Sequence, residues 1–177
     1  MDVKDIDRAA ERLKNVIHTT PLSTTRTFSE MSVCELFLKC ENQQKTGSFK
    51  VRGAYNKIAC LAERGEKPRA VVASSAGNHA QGVAFAAKAM DISATIVMPR
   101  ATPIAKVIAT KAYGAKVVLY GDCYDDAYAK ALEIQEEESA VFIHPFNDED
   151  VIAGQGTIAP EAMLWMMLVG TKSRSVS

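Results

Sequence analysis

Lys50 is the residue of this chain best placed for covalent chemistry. It stands in the run Lys45-Thr46-Gly47-Ser48-Phe49-Lys50-Val51-Arg52-Gly53, a turn that leads into a helical pattern. A lysine in water is protonated at neutral pH and is a poor nucleophile. One withdrawn from water has a lowered pKa and can condense with a carbonyl to form an imine. Most lysines are solvated surface charges, and local spacing alone favours that plainer reading for Lys50. A second run changes the weighting: Ser74-Ser75-Ala76-Gly77-Asn78-His79-Ala80-Gln81-Gly82 follows a short apolar stretch and opens an Ala-rich one. Gly77 permits a tight strand-to-helix turn whose backbone N–H groups face an anion, such as a carboxylate or phosphate. Asn78 can donate its amide to a phenolate or carboxylate oxygen, cap the helix, or do both. An anion corner beside an imine-forming lysine suits amino-acid chemistry with an aldehyde cofactor.

The elements that must hold these residues alternate along the chain. Ile6, Ala9, Ala10 and Leu13 recur at helical spacing and predict an amphipathic N-terminal helix. Residues 35–39 read as a strand, and Ser48 is expected to cap a helix running through Tyr55 and Ile58 to Leu61. Strands are then predicted at 70–73, 94–98, 116–120 and 140–143. Helices are predicted at 80–90, 104–113 (closed by Gly114) and 125–138. Nearly all-apolar strands separated by helices of ten or more residues imply an α/β fold, an open parallel sheet with helices on both faces. Such sheets bind ligands at the carboxyl ends of their strands, where the Ser74–Asn78 run sits. Lys172–Ser177 reads as a frayed polar tail.

Composition narrows the function class. Lys plus Arg and Asp plus Glu number 21 each, and no basic stripe appears, so neither nucleic acid nor an anionic membrane is an expected partner. Cys34, Cys40, Cys60 and Cys123 form no Cys-x-x-Cys pair and read as reduced thiols. The charged N-terminus has no apolar signal core, and the apolar run from Met163 to Val169 is too short to span a bilayer. A cytoplasmic protein is expected. His18 and His144 lack ligand-spaced partners, and Asp122, Asp125 and Asp126 read as a helix cap, so no metal site is expected. His79 is expected to order the Asn78 corner.

The chain resembles the fold-type-II pyridoxal-phosphate enzymes and, within them, the threonine/serine dehydratases. The matching stretches are residues 47–54 (Gly-Ser-Phe-Lys-Val-Arg-Gly-Ala), 75–82 (Ser-Ala-Gly-Asn-His-Ala-Gln-Gly) and 151–157 (Val-Ile-Ala-Gly-Gln-Gly-Thr), in that order. The resemblance implies the smaller domain of such an enzyme at 46–145, with parts of the larger domain at 1–45 and 146–177. It implies pyridoxal 5'-phosphate as cofactor, with Lys50 as Schiff-base lysine and general base, Phe49 beside the cofactor ring and Asn78 on its phenolic oxygen. Ser75, Ala76, Gly77, Asn78 and His79 would hold the substrate carboxylate. Threonine would give 2-oxobutanoate and ammonia, and serine would give pyruvate; the choice between them is not readable here. Serine racemases carry a serine, the base on the opposite cofactor face, where this chain has Ala76; a methyl group moves no proton, so elimination is favoured. Lys45, Thr46 and Gln81 match positions used for a nucleotide effector at a dimer contact, and a homo-oligomer is implied for a full-length form.

The pattern departs after Ala159. The family continues through a helix and a strand into a Gly-rich phosphate loop; here Pro160-Glu161-Ala162-Met163-Leu164-Trp165 follows, without such a loop. A truncated chain is therefore expected, with weakened phosphate anchoring and exposed apolar surface. The alternatives are an inactive truncated homologue that at most binds a full-length partner, or a serine racemase-like enzyme. A nucleotide-binding Rossmann domain ranks last, because no Gly-x-Gly-x-x-Gly follows a first strand.

Overall fold

The computed structural model describes residues 1–170. Helix α1 (Val3–Leu13) starts on a reciprocal cap, with the Asp2 carboxylate accepting the Asp5 amide and the Asp5 carboxylate accepting the Asp2 amide. It buries Ala9 and Leu13, two of the predicted apolar positions. Strands β1 (Leu22–Thr24) and β2 (Phe37–Lys39) pair antiparallel around helix α2 (Arg26–Ser32). The strand expected at 35–39 thus loses its first two residues. The amide of Leu36 donates to Ser29 Oγ at 2.9 Å and its carbonyl accepts from Thr25, which ties this residue to the ends of α2.

A single 3-10 turn (Glu41–Gln43) leads towards helix α3 (Lys50–Glu63). Phe49, not Ser48, takes the cap position, yet Ser48 Oγ still accepts the Lys50 amide at 3.4 Å. There follow β3 (Ala70–Ser74), α4 (Asn78–Ala89), β4 (Ser93–Met98), α5 (Ile104–Ala112), β5 (Lys116–Leu119), α6 (Tyr124–Glu137), β6 (Val141–Phe142), α7 (Glu149–Gly156) and α8 (Ile158–Gly170). Each sheet element falls within two residues of its expected bounds. Gly114, at φ +89°, closes α5, and the Asp126 carboxylate accepts the amides of Asp122 and Cys123 to start α6. Asp148 caps α7 by accepting from the amides of Asp150 and Val151. The polar tail expected at Lys172–Ser177 lies outside the described residues.

The four sheet strands are parallel, in the order β5-β4-β3-β6. Successive residues feed opposite faces. Val71, Ala73, Ile96 and Met98 pack with α3, α4 and α5, while Val72 and Val97 pack with Ala127, Ala131 and Ile134 of α6. The chain leaves β3 for β4 on one side, and β6 joins β3 on the other. The sheet therefore has its switch point between β3 and β6, the place where open α/β sheets leave a crevice at the strands' carboxyl ends.

Candidate active site

Three chain segments meet at this switch point: the start of α3, the β3–α4 corner and the turn after β6. Lys50 is the first residue of α3 and is half-buried. Its Nζ donates to the Pro145 carbonyl at 2.6 Å and lies 5.4 Å from the centroid of the exposed Phe49 ring. Burial draws the Lys50 amine below its ordinary value of 10.5. Its partner is a neutral carbonyl, so the amine is not fixed as half of an ion pair.

The β3–α4 corner is built as its sequence suggests, with one refinement. Gly77, rather than Asn78, holds the cap position, and Asn78 is the exposed first residue of α4. The Ser75 amide is spent on the Val97 carbonyl, and the Gly77 amide on Ser75 Oγ. The first intrahelical bond is that of the Gln81 amide to the Gly77 carbonyl. The amides of Asn78, His79 and Ala80 therefore precede any helical acceptor and are the corner's available anion donors. Ala76 presents only a methyl group there.

His79 is 4% exposed, and its Nε2 donates to the Ile143 carbonyl at 2.8 Å. A carbonyl only accepts, so Nε2 carries the proton and Nδ1 is a bare acceptor. Burial pulls the imidazole down to about 4 despite the Ile143 bond, with the Lys50 charge acting in the same direction as burial. His79 is thus neutral beside the lysine. Nδ1 of His79 and Oγ of Ser74 are buried and unpartnered at the carboxyl end of β3. The acceptor Nδ1 of His79, the Ser74 hydroxyl, the free helix amides and an amine outside any ion pair form a polar set that fits an aldehyde bearing polar substituents.

Behind the lysine the backbone is held firmly. Arg52, fully buried two residues on, donates from Nε and Nη2 to Glu41, from Nη1 and Nη2 to Glu161, and from Nη1 to Thr157 Oγ1. All five guanidinium N–H donors are used. Glu161 also accepts from Lys39, and Glu41 from Thr20, which ties α3 to β2 and α8. Sequence reasoning passed over Arg52 and Pro145. A charged residue in an otherwise buried helical stretch (Val51, Gly53 and Ala54 are its neighbours) was the available signal for the first; a backbone carbonyl carries none.

Lys45 Nζ lies 5.6 Å from the Phe85 centroid, Thr46 is buried with its hydroxyl on the Ser48 carbonyl, and Gln81 is half-buried in α4. A cavity of about 380 Å³ lies between α1, α3 and α7, and there Arg12 pairs with Glu63 and Arg64 with Asp150. Among the described residues no cluster of three or more His, Cys, Asp or Glu could hold a metal, and no helix is long and apolar enough to cross a membrane. The four cysteines are free thiols.

Known proteins share this fold. L-threonine ammonia-lyase of Thermotoga maritima is 58% identical over 161 residues, covering 91% of this chain and 40% of that protein. The catabolic L-threonine dehydratase of Escherichia coli K12 is 49% identical over 161 residues, covering 91% of this chain and 49% of that one. The chain thus spans half or less of these relatives' length. Among solved structures, a T.th. threonine deaminase superposes with a TM-score of 0.88 at 41% identity, over 96% of this chain and 53% of that one. Maize serine racemase does so at 0.88 and 38%, over 93% and 50%. The model of the pyridoxal-phosphate-dependent enzyme family matches residues 13–171. A match running almost from end to end, on a sheet whose switch point holds a half-buried, unpaired lysine, places this chain in the family of pyridoxal-phosphate-dependent enzymes.

Proposed function

We propose that the chain carries the lysine and the substrate corner of a lyase that dehydrates and deaminates threonine, and serine with it, to a 2-oxoacid and ammonia. The observation that carries this reading is the Lys50 amine, drawn down by burial, free of any carboxylate and set at the sheet's switch point. The relatives named as threonine ammonia-lyase and threonine dehydratase, at 58% and 49% identity, support the substrate class. Segment 46–145 corresponds in this reading to the smaller domain of the enzyme.

Lys50 would bond the cofactor's aldehyde carbon, with Asn78 on the phenolic oxygen and Phe49 beside the ring. Bound there, pyridoxal 5'-phosphate supplies an electron sink for the pair left at the substrate Cα. The chain supplies the rest. The amides at the start of α4 orient the substrate carboxylate with the partial positive charge of the helix terminus. Lys50 Nζ takes the Cα proton as general base, its lowered pKa making the neutral amine more accessible near neutral pH. Ala76 cannot return a proton from the opposite face, which favours elimination of the β-hydroxyl over inversion. Neutral His79 adds no second positive charge that would compete with the α4 amides for the carboxylate.

The test is to add pyridoxal 5'-phosphate to the chain, reduce with borohydride and map the mass increment. The increment is expected at Lys50, with 2-oxobutanoate released from threonine, and both are expected to vanish in Lys50→Ala. No increment at Lys50 under saturating cofactor overturns the reading.

A further inference from the structure

We propose that His79 and His144 are positioning residues for Lys50, bracketing the segment whose Pro145 carbonyl receives the lysine amine. The proposal rests on the reading of Lys50 as the reacting amine.

Strand β6 is two residues long, and its ladder ends where the Ile143 amide donates to the Val72 carbonyl. Beyond that bond the sheet gives the chain no further support, and Pro145 has no N–H of its own to anchor. Two imidazoles hold the segment instead. From α4, His79 Nε2 donates to the Ile143 carbonyl at 2.8 Å. From within the turn, His144 Nδ1 accepts the Phe146 amide at 3.3 Å and the Asn147 amide at 2.8 Å. Accepting from two donors leaves Nδ1 unprotonated, so His144 carries its proton on Nε2. The His144 ring stands edge-on to Phe146, with centroids 4.8 Å apart, and 6.3 Å from the Phe142 ring. Residues on both sides of Pro145 are thereby fixed, and the carbonyl between them is aimed at Lys50.

The consequence is directional. Lysine is a point charge on a flexible four-carbon stem. A neutral amine that gives one N–H to a fixed carbonyl has its lone pair turned towards a limited arc, and an electrophile is attacked along that arc. Loosening the turn leaves Lys50 present but unaimed.

The experiment uses the purified chain with His144→Ala, His144→Asn, His79→Ala and His79→Gln. Asn places Oδ1 where His144 has Nδ1, and Gln places Nε2 where His79 has its donor, so each restores the hydrogen bond without the ring. Three quantities are read: amide exchange at Phe146 and Asn147, the inequivalence of the two Lys50 ε-protons by NMR, and the rate of borohydride-fixed pyridoxal 5'-phosphate addition at Lys50. In His144→Ala the exchange is expected to rise at least tenfold, the ε-protons to become equivalent and the addition to slow about tenfold, with circular dichroism unchanged. His144→Asn is expected to restore all three. His79→Ala is expected to slow addition similarly, and His79→Gln to recover it. Unchanged ε-protons in a folded His144→Ala, or their failure to recover in His144→Asn with both amides again protected, overturns the proposal. If the wild-type chain takes no aldehyde at Lys50, the functional reading fails, while exchange and the ε-protons still decide the bracket. If an alanine variant does not fold, the Asn and Gln variants decide it through the same readouts: loss of lysine order with the hydrogen bonds restored counts against it.

Discussion

A β-carbon placed on Gly82 would stand 2.9 Å from the carbonyl carbon of Lys50 and 3.0 Å from the amide nitrogen of Val51. Helix α4 thus rests directly on the backbone of the lysine's own first turn, with no side chain between them. Gly82→Ala should gain about 1 kcal/mol of helix propensity. It should lose about 1–3 kcal/mol to overpacking, because backbone cannot fold aside as a side chain can. A net loss is expected, read as a lower urea midpoint, together with slower aldehyde addition at Lys50. A midpoint at or above wild type would mean that α4 slides away freely.

Arg52 should respond as one member of a closed network. Burial opposes its charge, but the hydrogen bonds it donates to Glu41 and Glu161 hold the guanidinium above its ordinary value. Arg52→Met leaves those two carboxylates facing each other and should cost about 3–5 kcal/mol. Adding Glu41→Gln should recover part of that loss, because the double variant buries less uncompensated charge. Chemical denaturation of the single and double variants checks this; simple additivity would contradict the network.

Acid should cost stability through His79 at a higher pH than it does through most carboxylates. The imidazole titrates near 6.5 in the unfolded chain and at about 4 when folded. Between these values the unfolded state binds more protons, so stability is full above about 6.5 and is lost as pH falls towards 4. The loss attributable to His79 is on the order of 3 kcal/mol. Unfolding free energy measured against pH should show this decline in wild type and a flatter profile over the same window in His79→Gln.

Three of the four thiols should separate by reactivity. Cys34 and Cys123 are exposed, whereas Cys60 is buried and its thiol is pushed up to about 11, by burial first and then by the charge of Asp150. The thiolate is the reacting form. Iodoacetamide at pH 8 should label Cys34 and Cys123 on native protein and reach Cys60 only after unfolding. Mass mapping of the labelled peptides reads the order directly.

Much of the fold is legible in the sequence because the sheet's apolar runs and its intervening helices are long enough to carry a period. Strands at Ala70, Ser93, Lys116 and Val141 begin within one residue of where the residues place them. The missed elements are of two kinds. Strand β1 is three residues long and helix α2 seven, too short for periodicity to register. Helix α7 had a readable signal, the Asp148 cap and the acidic Glu149 and Asp150 behind it, and helix α8, thirteen residues long, was missed although its length suffices for a period. At the site, Lys50, Asn78 and His79 stand out by residue type. The Pro145 carbonyl, the spent amides of Ser75 and Gly77 and the embrace of Arg52 by Glu41 and Glu161 depend on contacts between distant segments, which no local spacing encodes.

The Lys50–Pro145 hydrogen bond joins residues 95 apart in the chain. At a synthesis rate of about 5–20 residues per second, the lysine is incorporated roughly 5–20 s before its acceptor has been made. Throughout that interval helix α3 can form, but its amine has no carbonyl to rest on, and β6 has yet to join the sheet. On the proposed reading of Lys50 as the reacting amine, the nascent polypeptide can aim that amine only once Pro145 has been made.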